Sequence, residues 1–135
     1  MLIIAKTDKP SSLAGTGISE NYPLLSSQLK NETKITTLLR AMSIDEWNTL
    51  QKNGFKYSYY EYAMEQKWFA TSLEHVKKWG MMFYPTGDGV IIKMKVPVKA
   101  LEFMFYVRSL DNIGPAYSAD IEMLNIISRG VERCE

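Results

Sequence analysis

The chain has one cysteine, one histidine and almost no net charge, and each scarcity removes a class of function. Cys134 stands alone, so no disulfide framework and no thiolate metal cluster can be assembled from this sequence. His75 is the only imidazole, which rules out a multi-histidine metal site, and no metal is expected. Sixteen Lys and Arg stand against fifteen Asp and Glu, a net charge of +1. With no basic excess to release counterions from phosphates, nucleic acid is not an expected partner. No apolar run approaches the ~18 residues of a membrane span, so no membrane partner is expected either. Residues 1–6 read as a short strand rather than a secretory signal, whose apolar core would be longer and preceded by positive charge. A cytoplasmic site of action follows as the expectation, reached from outside by a non-classical route if the protein is delivered.

What is present is ordinary globular material. Of 135 residues, 46% are apolar and 23% charged, which suits one domain with a real core over residues 1–135. Residues 1–34 form a loop-rich N-terminal segment. Within it, Gly15 and Gly17 lack the third glycine and the Gly-Lys-Ser/Thr of a phosphate cradle, so they read as a turn. Residues 23–29 carry a short helix on Leu24, Leu25 and Leu29.

The chain is organised around residues 67–80. Trp68 and Phe69 have strand propensity and stop at Ala70-Thr71-Ser72. Thr71 is followed three residues on by Glu74, a capping box, and Leu73, Val76 and Trp79 recur at helical spacing up to Gly80. A strand, a hydroxyl-bearing turn and a helix of about 8–10 residues are predicted. Upstream, residues 35–42 are β-rich and carry Arg40 close to their end. Ser43 and Glu46 then form a second capping box for a helix that stops before Asn53-Gly54. An arginine in an apolar strand needs a partner: a structural carboxylate, or an anion matched to its planar fork. Residues 55–62 are the most aromatic stretch, and Tyr57, Tyr59, Tyr60 and Tyr62 could wall a pocket for a flat ligand.

Downstream, residues 85–89 read as a turn and residues 90–96 as the clearest strand, ended by Pro97. Residues 98–107 begin as a short helix or turn and continue as a strand. Asn, Gly, Pro and Ser crowd residues 108–120, which predicts a surface loop of functional length. This loop delivers Asp120 and Glu122 into a last strand over residues 123–128. Alternation would set both carboxylates on one side of that strand. A charged tail follows.

Arg40 before a helix, Phe-Ala-Thr-Ser at a strand-to-helix turn and Asp-x-Glu after a loop occur in an order that resembles the arginine–serine–glutamate class of mono-ADP-ribosyltransferases. The resemblance covers roughly residues 38–128 and implies an α+β fold: a split, bent, mostly antiparallel β-sandwich with flanking helices, its NAD-binding core over residues 35–128. It implies NAD as co-substrate and ADP-ribosyl transfer to a macromolecular acceptor, most naturally a protein. It would suit a bacterial or phage toxin or effector. Arg40 would hold the NAD phosphates; Ala70, Thr71 and Ser72 would line the cofactor cleft, with Tyr59 and Tyr62 among its aromatic walls. Glu122 would stabilise an oxocarbenium-like transition state, and Asp120 would help select the acceptor. Two positions depart from the family pattern: Ala70 replaces a serine, and Asp120 replaces a longer acid or amide. A catalytically inactive interaction module of the same fold and an NAD glycohydrolase are the alternative readings.

Overall fold

The computed structural model describes residues 21–58 and 66–134. In chain order these form α1 (Leu25–Leu29), β1 (Ile35–Ser43), α2 (Ile44–Lys52), β2 (Gln66–Ala70) and α3 (Leu73–Phe83). Then come β3 (Gly89–Pro97), a 3-10 turn (Val98–Phe103), β4 (Phe105–Leu110), β5 (Gly114–Asp120), α4 (Ile121–Ile127) and β6 (Val131–Arg133). The fold is α+β, a single six-stranded sheet in the order β4-β5-β2-β1-β3-β6 with helices on its faces. Every strand pair is antiparallel.

Local chemistry explains several boundaries. The Ser43 hydroxyl accepts from the Glu46 amide at 3.0 Å and starts α2, as its capping box predicts. Asn53 then closes the helix, and Gly54 follows at φ +68°, a left-handed conformation that glycine adopts without a Cβ penalty. The strand–turn–helix over residues 66–83 is present, with the cap shifted by one residue. Ser72, not Thr71, accepts from the His75 amide at 3.2 Å, and α3 runs through Gly80 to Phe83.

The C-terminal third differs from its sequence reading. Residues 108–120 are not a loop: β4 reaches Leu110, a three-residue turn follows, and β5 occupies Gly114–Asp120. Asp111 and Asn112 sit at φ +56° and +59°, and the Ile113 amide closes on the Leu110 carbonyl at 2.9 Å. This is the backbone of a tight hairpin turn whose twist matches its strands. Pro115 stands in an interior strand, where its missing N–H would normally break the ladder. Here the β4–β5 register shifts between Val107 and Leu110, passing from Ala116 to Gly114, so β4 bulges around the proline.

The last strand expected over residues 123–128 is α4. Asp120 is its N-cap, accepting from the Met123 amide at 2.9 Å, while Ile121, Leu124 and Ile127 recur at helical spacing and are buried. Asp120 and Glu122 therefore start a helix rather than alternate along a strand. The expected tail forms β6, paired with β3 at Ile92, Lys93 and Met94.

The two faces of the sheet are covered unequally. One buries Leu38, Met42, Phe69, Ile92, Met94 and Val96 against α1, α2 and α4, and contains the main core. The other meets α3, which packs Val76 and Trp79 over Ala70 and Ala116. Between β1 and β2 the ladder is nearly interrupted. These neighbours share one registered pair, Leu39↔Ala70, whereas β1 and β3 share nine and β2 and β5 share five. We call this narrow junction the seam.

Candidate functional site

A cavity of about 330 Å3 opens over the seam on the α3 face. Leu39 and Ala41 of β1, with Trp68 and Ala70 of β2, form its floor; α3 contributes Val76 and Trp79. Phe83 and Tyr84 close one side, and the β4–β5 hairpin brings Leu110 and Asp111 to another. These side chains converge because alternation sends Leu39, Ala41, Trp68 and Ala70 to the same face. The pocket is predominantly apolar and aromatic. Its carboxylate is that of Asp111, fixed by Trp79, whose Nε1 donates to Oδ2 at 2.8 Å. Arg40 also borders the cavity, but its guanidinium is turned to Glu46. An aromatic slot with one oriented carboxylate then favours a flat ligand carrying positive charge, because ring faces and carboxylate both attract cations.

On the opposite face, beneath the seam, lies a buried ion network. Arg40, 8% exposed, donates Nε and Nη2 to the two oxygens of Glu46 at 3.0 Å each, and Nη1 to the Trp68 carbonyl at 3.2 Å. Lys67, 2% exposed, reaches the same carboxylate at 3.3 Å. Burial alone would raise the Glu46 pKa, but the charges and hydrogen bonds of Arg40, then of Lys67, outweigh it and hold the carboxyl below its ordinary range. Burial, reinforced by the Arg40 charge, lowers Lys67 despite its bond to Glu46. Tyr57, buried beside this cluster, has its phenol pushed up, chiefly by desolvation.

The residues singled out by sequence fall into two groups. Arg40 and Ala70 line the seam pocket, and Thr71 and Ser72 continue directly from Ala70. The Arg40 guanidinium, however, is taken by Glu46 and the Trp68 carbonyl, so the structural carboxylate is the partner observed. The Ser72 hydroxyl caps α3, and Thr71 is exposed.

Asp120 and Glu122 are elsewhere. In the β2–β5 register Ala70 faces Ala116 while Gln66 faces Asp120. The acid pair thus lies at the far end of β2, four residues or about 13 Å from Ala70 at ~3.3 Å per residue. Asp120 is buried and accepts from the Tyr22 hydroxyl at 2.8 Å; Glu122 accepts from Asn21 Nδ2 at 2.7 Å. A separate hollow of about 280 Å3, lined in part by Tyr22, Gln66 and Asp120, marks that end. The arginine, the hydroxyl corner and this acid pair do not share one groove. Tyr59 and Tyr62 lie outside the described residues.

Sequence reasoning passed over Asp111 and placed Trp79 only as a helix-face residue. A signal for Asp111 existed: Asp-Asn between two strand-like runs is hairpin-turn chemistry. His75 half-buries against the same hairpin, where a Cβ on Gly114 would run into its ring. Its Nδ1 is buried without a hydrogen-bond partner among the described residues.

Among the described residues no group of three His, Cys, Asp or Glu side chains is arranged to hold a metal ion, and no helix is long and apolar enough to cross a membrane. No protein-family model, curated protein or solved structure matches this chain.

Proposed function

We propose that this domain binds the nicotinamide end of NAD in the seam pocket and transfers ADP-ribose from it to a macromolecular acceptor. Asp111 takes the part the sequence resemblance gave to Glu122. The observation carrying this reading is the pocket itself: tryptophans on two of its sides, a carboxylate oriented by one of them, and a position over a nearly interrupted strand pair. The single Leu39↔Ala70 pair also supports the split sheet that the resemblance implies, and Ala70-Thr71-Ser72 leaves that pair at the pocket's end.

The chemistry is that of a glycosidic bond under charge. The bond between ribose C1′ and the pyridinium nitrogen breaks, nicotinamide departs neutral with the bonding pair, and positive charge develops on the sugar. A fixed carboxylate next to C1′ stabilises that charge. The acceptor then adds to C1′ and loses its proton. The aromatic walls hold the leaving ring and keep water from its faces.

The test is titration of the full chain with NAD, following Trp fluorescence, together with nicotinamide release and labelling of lysate protein from labelled NAD. Saturable quenching, and turnover abolished by Asp111→Asn but retained by Glu122→Gln, is the expected pattern. Turnover lost in Glu122→Gln and kept in Asp111→Asn would move the site to the far end of β2. Binding without any turnover would leave the non-catalytic module, and absence of binding would remove the NAD reading altogether.

A further inference from the structure

The ion network is gathered on the face away from the pocket, although Arg40 itself borders the cavity between Leu39 and Ala41, and it holds the two strands between which the pocket opens. Backbone pairing across the seam is limited to Leu39↔Ala70. Beside that pair Arg40, from β1, donates to the carbonyl of Trp68 on β2. Glu46, in the first turn of α2, receives Arg40 from one strand and Lys67 from the other. One carboxylate therefore clasps a cation from each side of the seam. The backbone of Trp68 is tied into this clasp while its indole emerges on the opposite face as a wall of the pocket.

We infer that Arg40 and Glu46 are positioning residues for the seam pocket: they set the spacing of β1 and β2 and the seat of Trp68, and through Trp68 they set ligand affinity. The inference rests on the reading of this pocket as the NAD site. Arginine suits the task because its rigid fork makes both Glu46 contacts and the Trp68 contact at once, which a lysine ammonium at the same position cannot reproduce. Burial of two cations with one carboxylate is a poor way to gain stability, since an apolar trio of similar volume usually does as well. Its value lies in geometry: a directional tie at the place where the ladder has almost none.

The experiment compares the full-length wild type with Arg40→Lys, with the apolar triple variant Arg40→Met/Glu46→Leu/Lys67→Met, and with Leu124→Ala in the core of the other face. NAD and nicotinamide are the probes. Trp fluorescence reads affinity, thermal melting reads stability, and hydrogen exchange at the amides of residues 39 and 70 reads the seam without ligand. Arg40→Lys should weaken both probes by roughly tenfold or more, the loss of a charge-assisted bond, and speed exchange at the seam. The triple variant should melt near wild type yet bind as poorly. Leu124→Ala should lose stability with affinity unchanged.

Wild-type affinity in a folded triple variant and in Arg40→Lys overturns the inference. So does a loss of affinity in Leu124→Ala that matches Arg40→Lys, because general destabilisation would then explain both. If the triple variant fails to fold, Arg40→Lys and its exchange pattern decide. A wild type that takes neither probe removes the pocket reading instead, a failure visible before any variant is made.

Discussion

The two faces of this sheet use similar residues for opposite ends. On one, three helices press Leu29, Met42, Ile92, Met94, Leu124 and Ile127 to complete burial or close to it. On the other, α3 packs a smaller cluster, and two hollows of about 330 Å3 remain beside it, one over the seam and one along the Tyr84–Gly89 turn. Met81 and Phe83, at the end of that helix, are 74% and 59% exposed. A filled face excludes water and resists change; a half-covered face keeps aromatic walls apart and leaves room for something else. Stability and binding should therefore respond to different substitutions.

The comparison breaks first at the ion network. Glu46→Gln leaves Arg40 and Lys67 buried with no carboxylate and should cost about 3–5 kcal/mol in urea unfolding. A change below 1 kcal/mol would mean that water reaches these cations. Leu124→Ala, in the filled face, should cost roughly 2–5 kcal/mol, with NAD affinity unmoved. The N-cap change Asp120→Ala should cost about 1 kcal/mol and spare nicotinamide release, since that carboxylate starts α4 at the far end of β2. Trp79→Phe should sharpen the contrast from the other side. It removes the indole N–H that fixes Asp111, so stability should shift by no more than ~1 kcal/mol while ligand quenching falls several-fold.

Acid should report the network independently. The Glu46 pKa is lowered in the fold, so its stabilising contribution is complete above the ordinary glutamate range. That contribution is lost as pH falls through the depressed folded value. Melting temperature measured down the acid range should drop there in the wild type. The drop should be shallower in the apolar triple variant, and equal slopes would mean that other carboxylates dominate the acid limb.

Much of the fold could be read from local rules, and much of the site could not. Ser43-x-x-Glu46 and Asn53-Gly54 delimit α2 because capping chemistry is set within a turn or two of chain. The strand before Ala70 and the helix after Ser72 are legible for the same reason. Residues 108–128 depart from their sequence expectation because two local cues conflict with tertiary context. Gly114 and Pro115 look like loop residues, yet the bulge in β4 accommodates the proline, and the His75 ring leaves no room for a Cβ at position 114. Ile121, Leu124 and Ile127 fit a helical stripe, but a short apolar run also fits a strand, and periodicity alone does not separate the two. The partner of Arg40 was equally out of reach. Glu46 was visible as a capping residue, and only the fold shows that its carboxylate turns back to the strand. Asp111 enters the pocket through strand order, which brings the β4–β5 hairpin over α3.

The strand order also dictates how the molecule is threaded. β1, β3 and β6 lie to one side of the narrow Leu39↔Ala70 junction and β2, β4 and β5 to the other. The polypeptide passes over at β1–β2, β2–β3, β3–β4 and β5–β6, like a lace drawn through alternate eyelets. Neither side can be cut out as an independent fragment, and neither is complete until at least residue 120 has joined it. The narrow junction between the two sides is thereby bridged by chain four times over, although its strand ladder holds one registered pair.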